Sequence, residues 1–113
     1  MDYLGKIFLF VMAQFDVHRN GGQNRQEIPF LVVVQSRRFD ATQTRIVAAL
    51  RRGVGVSARL TPAFEIDEIP VYLDPLQVAS IRLATLGPAV ASLSDEVHSD
   101  RIVAALDEIL SRA

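Results

Sequence analysis

Residues 28–35 read IPFLVVVQ, and this stretch decides the fold class. Its apolar residues are mostly β-branched or aromatic and fall on both faces of an extended chain, and the run is too short for a comfortable helix. We therefore expect a central strand covered on both sides, with Pro29 near its start. Upstream, Phe15 and Val17 alternate with polar residues, which is the period of a half-buried strand. The intervening RNGGQNRQE, residues 19–27, contains an Asn-Gly-Gly turn signal, so the two strands should form a hairpin.

Several short segments downstream also have the composition of strands. Residues 62–66 and 69–73 are predicted strands on either side of an acidic turn at 67–68. Because adjacent residues in a strand or turn point apart, the two carboxylates of that turn are better suited to solubility than to paired acid and base chemistry. Residues 75–79 are expected to form a loop, and residues 81–86 another strand that ends at a Gly-Pro pair.

The segment 44–52 is ambiguous between helix and strand. Its apolar residues Ile46, Val47 and Leu50 lie at helical spacing, yet an Ile-Val pair also suits a strand. The hexapeptide RIVAAL occurs at 45–50 and again at 101–106 with unmatched flanks. Local sequence alone therefore does not decide the structure of this segment.

The C-terminal segment carries the clearest helical pattern. Its apolar stripe at helical spacing is Ile102, Val103, Leu106, Ile109 and Leu110. Ser99 is the expected N-cap, Asp100 favours the positive end of the helix, and Glu108 is expected to pair with Arg112. The face left for solvent or a partner is Asp100, Ala104, Asp107 and Ser111. The residues thus predict a mainly β fold with a C-terminal helix, an α+β protein.

The length of 113 residues, half of them apolar, suits one domain with a single core. The apolar stretch 7–13 is far shorter than the ~20 residues that span a bilayer. Because Met12 stands just before the first predicted strand, we expect residues 1–11 to be a leader added by an upstream start codon and residues 12–113 to be the domain. With no cysteine, the chain has no disulfide, no thiolate zinc site and no cysteine nucleophile, and a cytoplasmic location fits.

The net charge of −1 hides an asymmetry between the two halves of the chain. Residues 1–59 contain nine Lys or Arg against four Asp or Glu, and residues 60–113 contain three against nine, so the halves carry +5 and −6. Two interpretations stay open. The halves neutralise each other across the fold or across a dimer, or the arginines form a basic face for an acidic partner.

No motif in the sequence indicates catalysis. His18 and His98 are far apart, and neither has a second His or Cys at metal-ligand spacing, so we expect no metal site. The Gly-x-Gly at 53–55 lacks the third glycine of a nucleotide-binding fingerprint, and no cofactor is predicted. Arg37-Arg38 and Arg51-Arg52 favour nucleic-acid binding, but few aromatic residues are available for stacking and the second half is acidic. The residues therefore indicate a domain without catalytic residues that acts by binding.

The order of these segments resembles the CcdB toxins over roughly residues 12–110. The matching pieces are a start of Met followed by Gln14-Phe15-x-Val17, then Leu31-Val32-Val33-Val34-Gln35-Ser36 with Asp40 after it, Pro62-x-x-x-Ile66, a strand at 81–86 ending at Gly87, Val90-Ala91-x-Leu93, and a last helix with Ile102 and Ala105. The resemblance implies an SH3-like small barrel of antiparallel sheets, assembled as a homodimer. It also implies that the first RIVAAL is a strand.

The resemblance implies a function as well. CcdB proteins are the toxins of toxin–antitoxin pairs with a role in plasmid maintenance. They poison DNA gyrase by binding its breakage subunit and stabilising the cleaved-DNA state, and a short antitoxin neutralises them. Such a poison acts only as far as it binds the cleaved complex better than the resealed one. No membrane contact and no sequence-specific nucleic-acid binding are implied.

Site residues follow from the resemblance by position. The target-binding positions are Arg38, Phe39, Asp107, Ser111, Arg112 and Ala113. They differ from the family, which has two isoleucines at the first pair, an asparagine on the helix and a Trp-Gly-Ile ending. Antitoxin contacts lie on the first hairpin turn and the mid-chain loop, which we place at 19–27 and 51–57. The arginines of these segments are Arg19, Arg25, Arg51 and Arg52, and they predict an acidic, partly disordered antitoxin.

Three interpretations of these departures stay open. The protein poisons gyrase through a different contact set, has another target, or is a non-toxic relative that still binds an antitoxin. The enzymatic alternative is a ribonuclease, because related toxins that cut RNA share this barrel. Arg37 and Arg38 could then contact phosphate, although the sequence shows no partner base.

Overall fold

The computed structural model describes residues 13–112, so the expected leader at 1–11 and the terminal Ala113 lie outside the described residues. The elements are β1 (Asp16–Arg19), β2 (Phe30–Val33), β3 (Thr44–Arg52), β4 (Ala63–Ile66), β5 (Ile69–Arg82), β6 (Ala89–Ser92) and α1 (Glu96–Ile109). Short 3₁₀ turns follow β2 at Arg37–Phe39 and β5 at Leu83–Thr85. The strands form one antiparallel sheet in the order β4-β5-β3-β2-β1-β6, which curls into a nearly closed barrel. The predicted small barrel with a C-terminal helix is confirmed.

Strand β2 is apolar on both faces because each face covers a different core. Phe30 and Val32 point into the main core of the barrel, while Val33 lies in a second, smaller cluster against which Leu31 packs. Alternate residues of a strand face opposite sides of the sheet, so one short run serves both clusters. The hairpin of β1 and β2 is also confirmed, with Val17 opposite Val32.

The hexapeptide RIVAAL forms a strand in one place and a helix in the other. At 45–50 it lies in β3, which pairs with β2 on one side and β5 on the other. At 101–106 it lies within α1. The resemblance predicted the strand correctly, and the two neighbouring strands, rather than local propensity, explain it.

Strand β5 corrects two expectations. Residues 75–79 are not a loop, because β5 continues through them. Asp74 is opposite Ala49 and Val78 is opposite Ala48, so residues 75–77 form a bulge between two paired stretches. The strand expected at 81–86 is the end of this long strand, which stops at Arg82.

Helix α1 differs from the expectation at its start and along its apolar face. Its N-cap is Asp95, whose carboxylate accepts the His98 backbone N–H at 3.1 Å, so the prediction of Ser99 was wrong. Ile102 and Ala105 are fully buried in the main core, whereas Val103, Ile109 and Leu110 of the predicted stripe are exposed. Asp100, Ala104, Asp107 and Ser111 are exposed as predicted.

Ion pairs connect the two halves of the chain. Among the residues described, arginines of the first half pair with carboxylates of the second in Arg19–Asp67, Arg51–Asp74 and Arg59–Glu108. Glu108 therefore pairs across the fold rather than with the Arg112 expected from helical spacing. Part of the charge asymmetry is neutralised within one chain.

Candidate functional site

The connection between β2 and β3 presents an arginine pair and an exposed aromatic ring. We call residues 36–43 the tip loop. Ser36 caps its 3₁₀ turn by accepting the Arg38 N–H at 3.2 Å, and Phe39 N–H donates to the Ser36 carbonyl at 3.0 Å. Arg37, Arg38 and Phe39 are all exposed, and the Phe39 side chain is 58% accessible. An aromatic residue this exposed, directly after two arginines, is an available anchor for a binding partner.

Two buried side chains lie behind the tip loop. Gln35 donates to the carbonyls of Phe39 and Thr44 and accepts from the Ile46 N–H, at 3.0–3.2 Å. Arg45 is fully buried and donates to the carbonyls of Asp40 and Thr42 at 3.0–3.1 Å and to that of Thr44 at 2.9 Å. Sequence analysis did not identify either side chain as functional.

The other predicted target-binding positions lie at the end of α1. Asp107, Ser111 and Arg112 are all exposed. This end of the helix borders the mid-chain loop, since Ile109 shares a cleft with Val56. The predicted target-binding residues are therefore carried by two elements of the chain, the tip loop and the helix end.

The four predicted antitoxin-binding arginines lie on the first hairpin turn and on the adjoining strands. Arg51 and Arg52 are in β3 rather than in the mid-chain loop, which corrects the expected boundary of that loop. Arg52 donates from Nε to the Gln26 carbonyl at 3.0 Å, so the end of β3 and the first turn form one surface with Arg25. We call Arg25 and Arg52 the arginine face; Arg19 lies on β1, and Arg51 points to the opposite side of β3 from its neighbour Arg52.

The four predicted antitoxin-binding arginines differ in how firmly they are held. Arg51 donates from Nε to Asp74 at 2.8 Å, and this hydrogen bond holds the pKa of Arg51 above its usual value. Arg19 donates to Asp67 at 2.9 Å. Arg25 and Arg52 are exposed, and they are the better candidates for contacting an acidic partner.

An apolar cleft of about 250 Å³ separates the end of α1 from the mid-chain loop. Val56 and Leu76 line it and are almost wholly exposed, and Leu60 and Ile109 also contribute. Sequence analysis missed this cleft because Leu76 lies in the bulge of β5, which was predicted to be an ordinary loop.

A titratable pair lies at the start of β1. The pKa of Asp16 is raised, chiefly because burial removes water from its carboxylate, although the Ala13 N–H donates to it at 3.0 Å and the charges of His18 and Arg37 oppose the shift. His18 is fully buried and its Nδ1 bonds the Gly87 carbonyl at 2.8 Å, so Nδ1 carries the proton. Its Nε2 is buried and, within residues 13–112, has no hydrogen-bond partner. Neither residue was singled out from the sequence as a base.

No three His, Asp or Glu side chains of residues 13–112 lie together as metal ligands. No helix in that range is long and apolar enough to cross a membrane.

Comparison with known proteins places the chain in a family. The family described as CcdB protein matches residues 14–111. Among solved structures, the fold is similar to an endoribonuclease from Mycobacterial species, with a TM-score of 0.66 at 13% identity over 87% of this chain and 89% of the other. No curated protein sequence matches significantly. Because the family match covers nearly all of the described residues and agrees with the barrel and its closing helix, the chain belongs to the CcdB family of toxins.

Proposed function

We propose that this protein is the toxin of a cytoplasmic toxin–antitoxin pair involved in plasmid maintenance, and that it inhibits DNA gyrase by binding rather than by catalysis. The observation that carries the proposal is the exposed Phe39 on a tip loop that is held from behind by buried side chains. Its position in the chain corresponds to a family target-binding position. The helix-end residues Asp107, Ser111 and Arg112, with Ala113, form the second part of the proposed target-binding surface.

Phe39 is proposed to replace the aromatic anchor that the family carries at its C-terminus. An aromatic side chain buries about 200 Å² when fully covered. With 58% of Phe39 accessible, roughly 120 Å² is left for a partner to cover, and at ~25 cal/mol per Å² this area is equivalent to about 3 kcal/mol. A contribution of that size corresponds to roughly a hundredfold in affinity. Arg38 beside it suits bidentate pairing with a carboxylate or phosphate on the target.

The arginine face is proposed as the antitoxin-binding surface. An acidic, partly disordered peptide fits it, because Arg25 and Arg52 expose their guanidinium groups on one surface. We expect Arg25→Glu with Arg52→Glu to weaken binding of the product of a small acidic reading frame immediately upstream at least tenfold. Undiminished binding would contradict the assignment. These two residues are preferred to Arg51 for the test, because Arg51 also ties β3 to Asp74.

A homodimer is the proposed assembly. The exposed apolar residues Ile109 and Leu110 at the end of α1 are available to be covered by a second copy. Light scattering at micromolar concentration should give twice the mass of the chain. A monomeric mass would contradict the proposal.

RNA cleavage is the second candidate function. Two observations favour it. The fold is similar to that of an endoribonuclease. The half-buried Asp16 has a raised pKa, which suits a base, and it is close enough to Arg37 to feel its charge. In this function Asp16 would take the proton of the attacking 2′-hydroxyl as its oxygen bonds to phosphorus, and Arg37 would stabilise charge on the phosphate. The bond from phosphorus to the 5′-oxygen would break, and that oxygen would take a proton from water. Asp16→Asn would then abolish RNA cleavage.

One pair of incubations separates the candidates. Purified protein is mixed with gyrase and supercoiled plasmid, and separately with total RNA. The proposed function predicts linear plasmid after detergent and protease treatment, with RNA left intact. Phe39→Ala should lose this effect, while Val97→Ala, a control at an exposed apolar residue of the first turn of α1, should keep it. RNA fragments would favour the second candidate, and neither product would indicate a non-toxic relative or another target.

A further inference from the structure

We propose that Gln35 and Arg45 are positioning residues that hold the tip loop in the conformation that presents Arg38 and Phe39. Neither side chain is placed to touch a partner, because Arg45 is fully buried and Gln35 nearly so. They hydrogen-bond to the backbone of the tip loop, which lies between them and the solvent. The consequence for target binding rests on the proposed function, whereas the order of the loop does not.

Arg45 anchors the far side of the tip loop. Arg45 is the second residue of β3, and its guanidinium extends back toward the loop. Its Nη1 donates to the carbonyls of Thr42 and Thr44, and its Nη2 donates to that of Asp40. A guanidinium has five N–H donors in a rigid planar fork, so several carbonyls can be fixed at once in one geometry. A buried charge is tolerated only where such hydrogen bonds surround it. The loop carbonyls and Arg45 therefore depend on each other.

Gln35 anchors the near side. Its amide nitrogen is within 3.1–3.3 Å of the Phe39 carbonyl, the Thr42 hydroxyl and the Thr44 carbonyl, while its Oε1 accepts the Ile46 N–H. The same side chain thus binds both the loop and the strand that follows it. The Thr42 hydroxyl adds a bond to the Phe39 carbonyl at 2.8 Å. The backbone beneath the exposed ring of Phe39 is fixed from two directions.

This arrangement matters for binding because a disordered loop would have to become ordered in the complex. Ordering a loop during association lowers affinity, and a loop ordered in advance avoids that loss. The tip loop has no apolar residue buried in either core cluster, so hydrogen bonds to Gln35 and Arg45 replace hydrophobic packing as the source of its order. The alternative is that the two side chains stabilise the fold as a whole without a specific effect on the loop.

Amide exchange on the free protein distinguishes the two. The reporters are the Phe39, Asp40 and Thr42 amides, whose hydrogen bonds lie within the tip loop, and the control is the Leu50 amide of β3. Arg45→Met should speed exchange of the loop amides at least tenfold and leave Leu50 unchanged. Gln35→Met is a milder change for use if the first variant does not fold. It should also speed exchange of the loop amides, and it should speed exchange of the Ile46 amide, which donates to Gln35 Oε1. Equal acceleration everywhere, or none in the loop, would overturn the inference.

A double-mutant cycle tests the link to binding, with gyrase breakage subunit as the probe. Arg45→Met should weaken binding at least tenfold in the wild-type background and clearly less in Phe39→Ala, because only Arg38 is then left for the loop to present. Arg45→Lys, which keeps the charge and can reach some of the carbonyls, should restore part of the affinity. An equal loss in both backgrounds would overturn the positioning role. If the wild type does not bind gyrase, the proposed target is wrong, and the exchange result alone decides whether the loop is positioned.

Discussion

Replacing Ile102 by Ala tests whether α1 closes the barrel or merely lies against it. Ile102 is fully buried in the main core, and the substitution removes three carbons. At about 0.8 kcal/mol per buried carbon the transfer contribution is roughly 2.4 kcal/mol, and the cavity left behind brings the expected loss to about 3–4 kcal/mol. Because a domain of this size is stable by only about 5–15 kcal/mol, the variant should be severely weakened.

The neighbouring Val103 provides the matched control. It is also β-branched and lies on the same helix, but 44% of it is exposed. Replacing either residue by Ala raises the intrinsic helix propensity by a similar amount. The difference in unfolding free energy between the two variants therefore reports the difference in burial. In urea unfolding at one protein concentration, the free energy of unfolding of Val103→Ala should lie within about 1 kcal/mol of the wild-type value. A difference of less than ~1 kcal/mol between the two variants would refute the view that α1 completes the core.

Two further predictions concern local features. Gly55→Ala should lower the urea midpoint of unfolding, because a Cβ there would lie 2.3 Å from the Thr61 hydroxyl oxygen. In the control Gly21→Ala the added Cβ meets no atom within 4 Å, so the midpoint should not change. Equal midpoints for the two variants would contradict the geometry. The side-chain hydrogen bond from His98 holds the pKa of Asp95 below its usual 3.8, so Asp95 stabilises the fold above that pH and its contribution is lost as the pH falls through the lowered value. Asp95→Asn should therefore flatten the fall in stability below pH 4 measured by acid titration, and an unchanged slope would contradict this.

Much of the barrel could be predicted because its strongest signals are local. The run at 28–35 predicted a strand covered on both faces, and the two core clusters explain why Leu31 and Val32 are both apolar. The two copies of RIVAAL show the limit of such reasoning, since only β2 and β5 on either side distinguish the strand from the helix.

The parts that could not be predicted depend on distant partners. Asp74, which holds Arg51, follows 23 residues later on a neighbouring strand, so this ion pair could not be recognised from sequence spacing. Ser99 was the predicted N-cap, whereas the fold shows that Asp95 caps a helix that begins at Glu96. The role of Gln35 and Arg45 could not be predicted because they bind backbone carbonyls, which every residue has.

Calorimetric titration of the gyrase breakage subunit with wild-type protein and with Phe39→Ala tests the central claim most directly. We expect saturable binding by the wild type and roughly a hundredfold weaker binding by the variant, in line with the ~3 kcal/mol equivalent to the exposed area of Phe39. No binding by the wild type, or equal binding by both proteins, would contradict the claim that this CcdB-family barrel acts on gyrase through its tip loop.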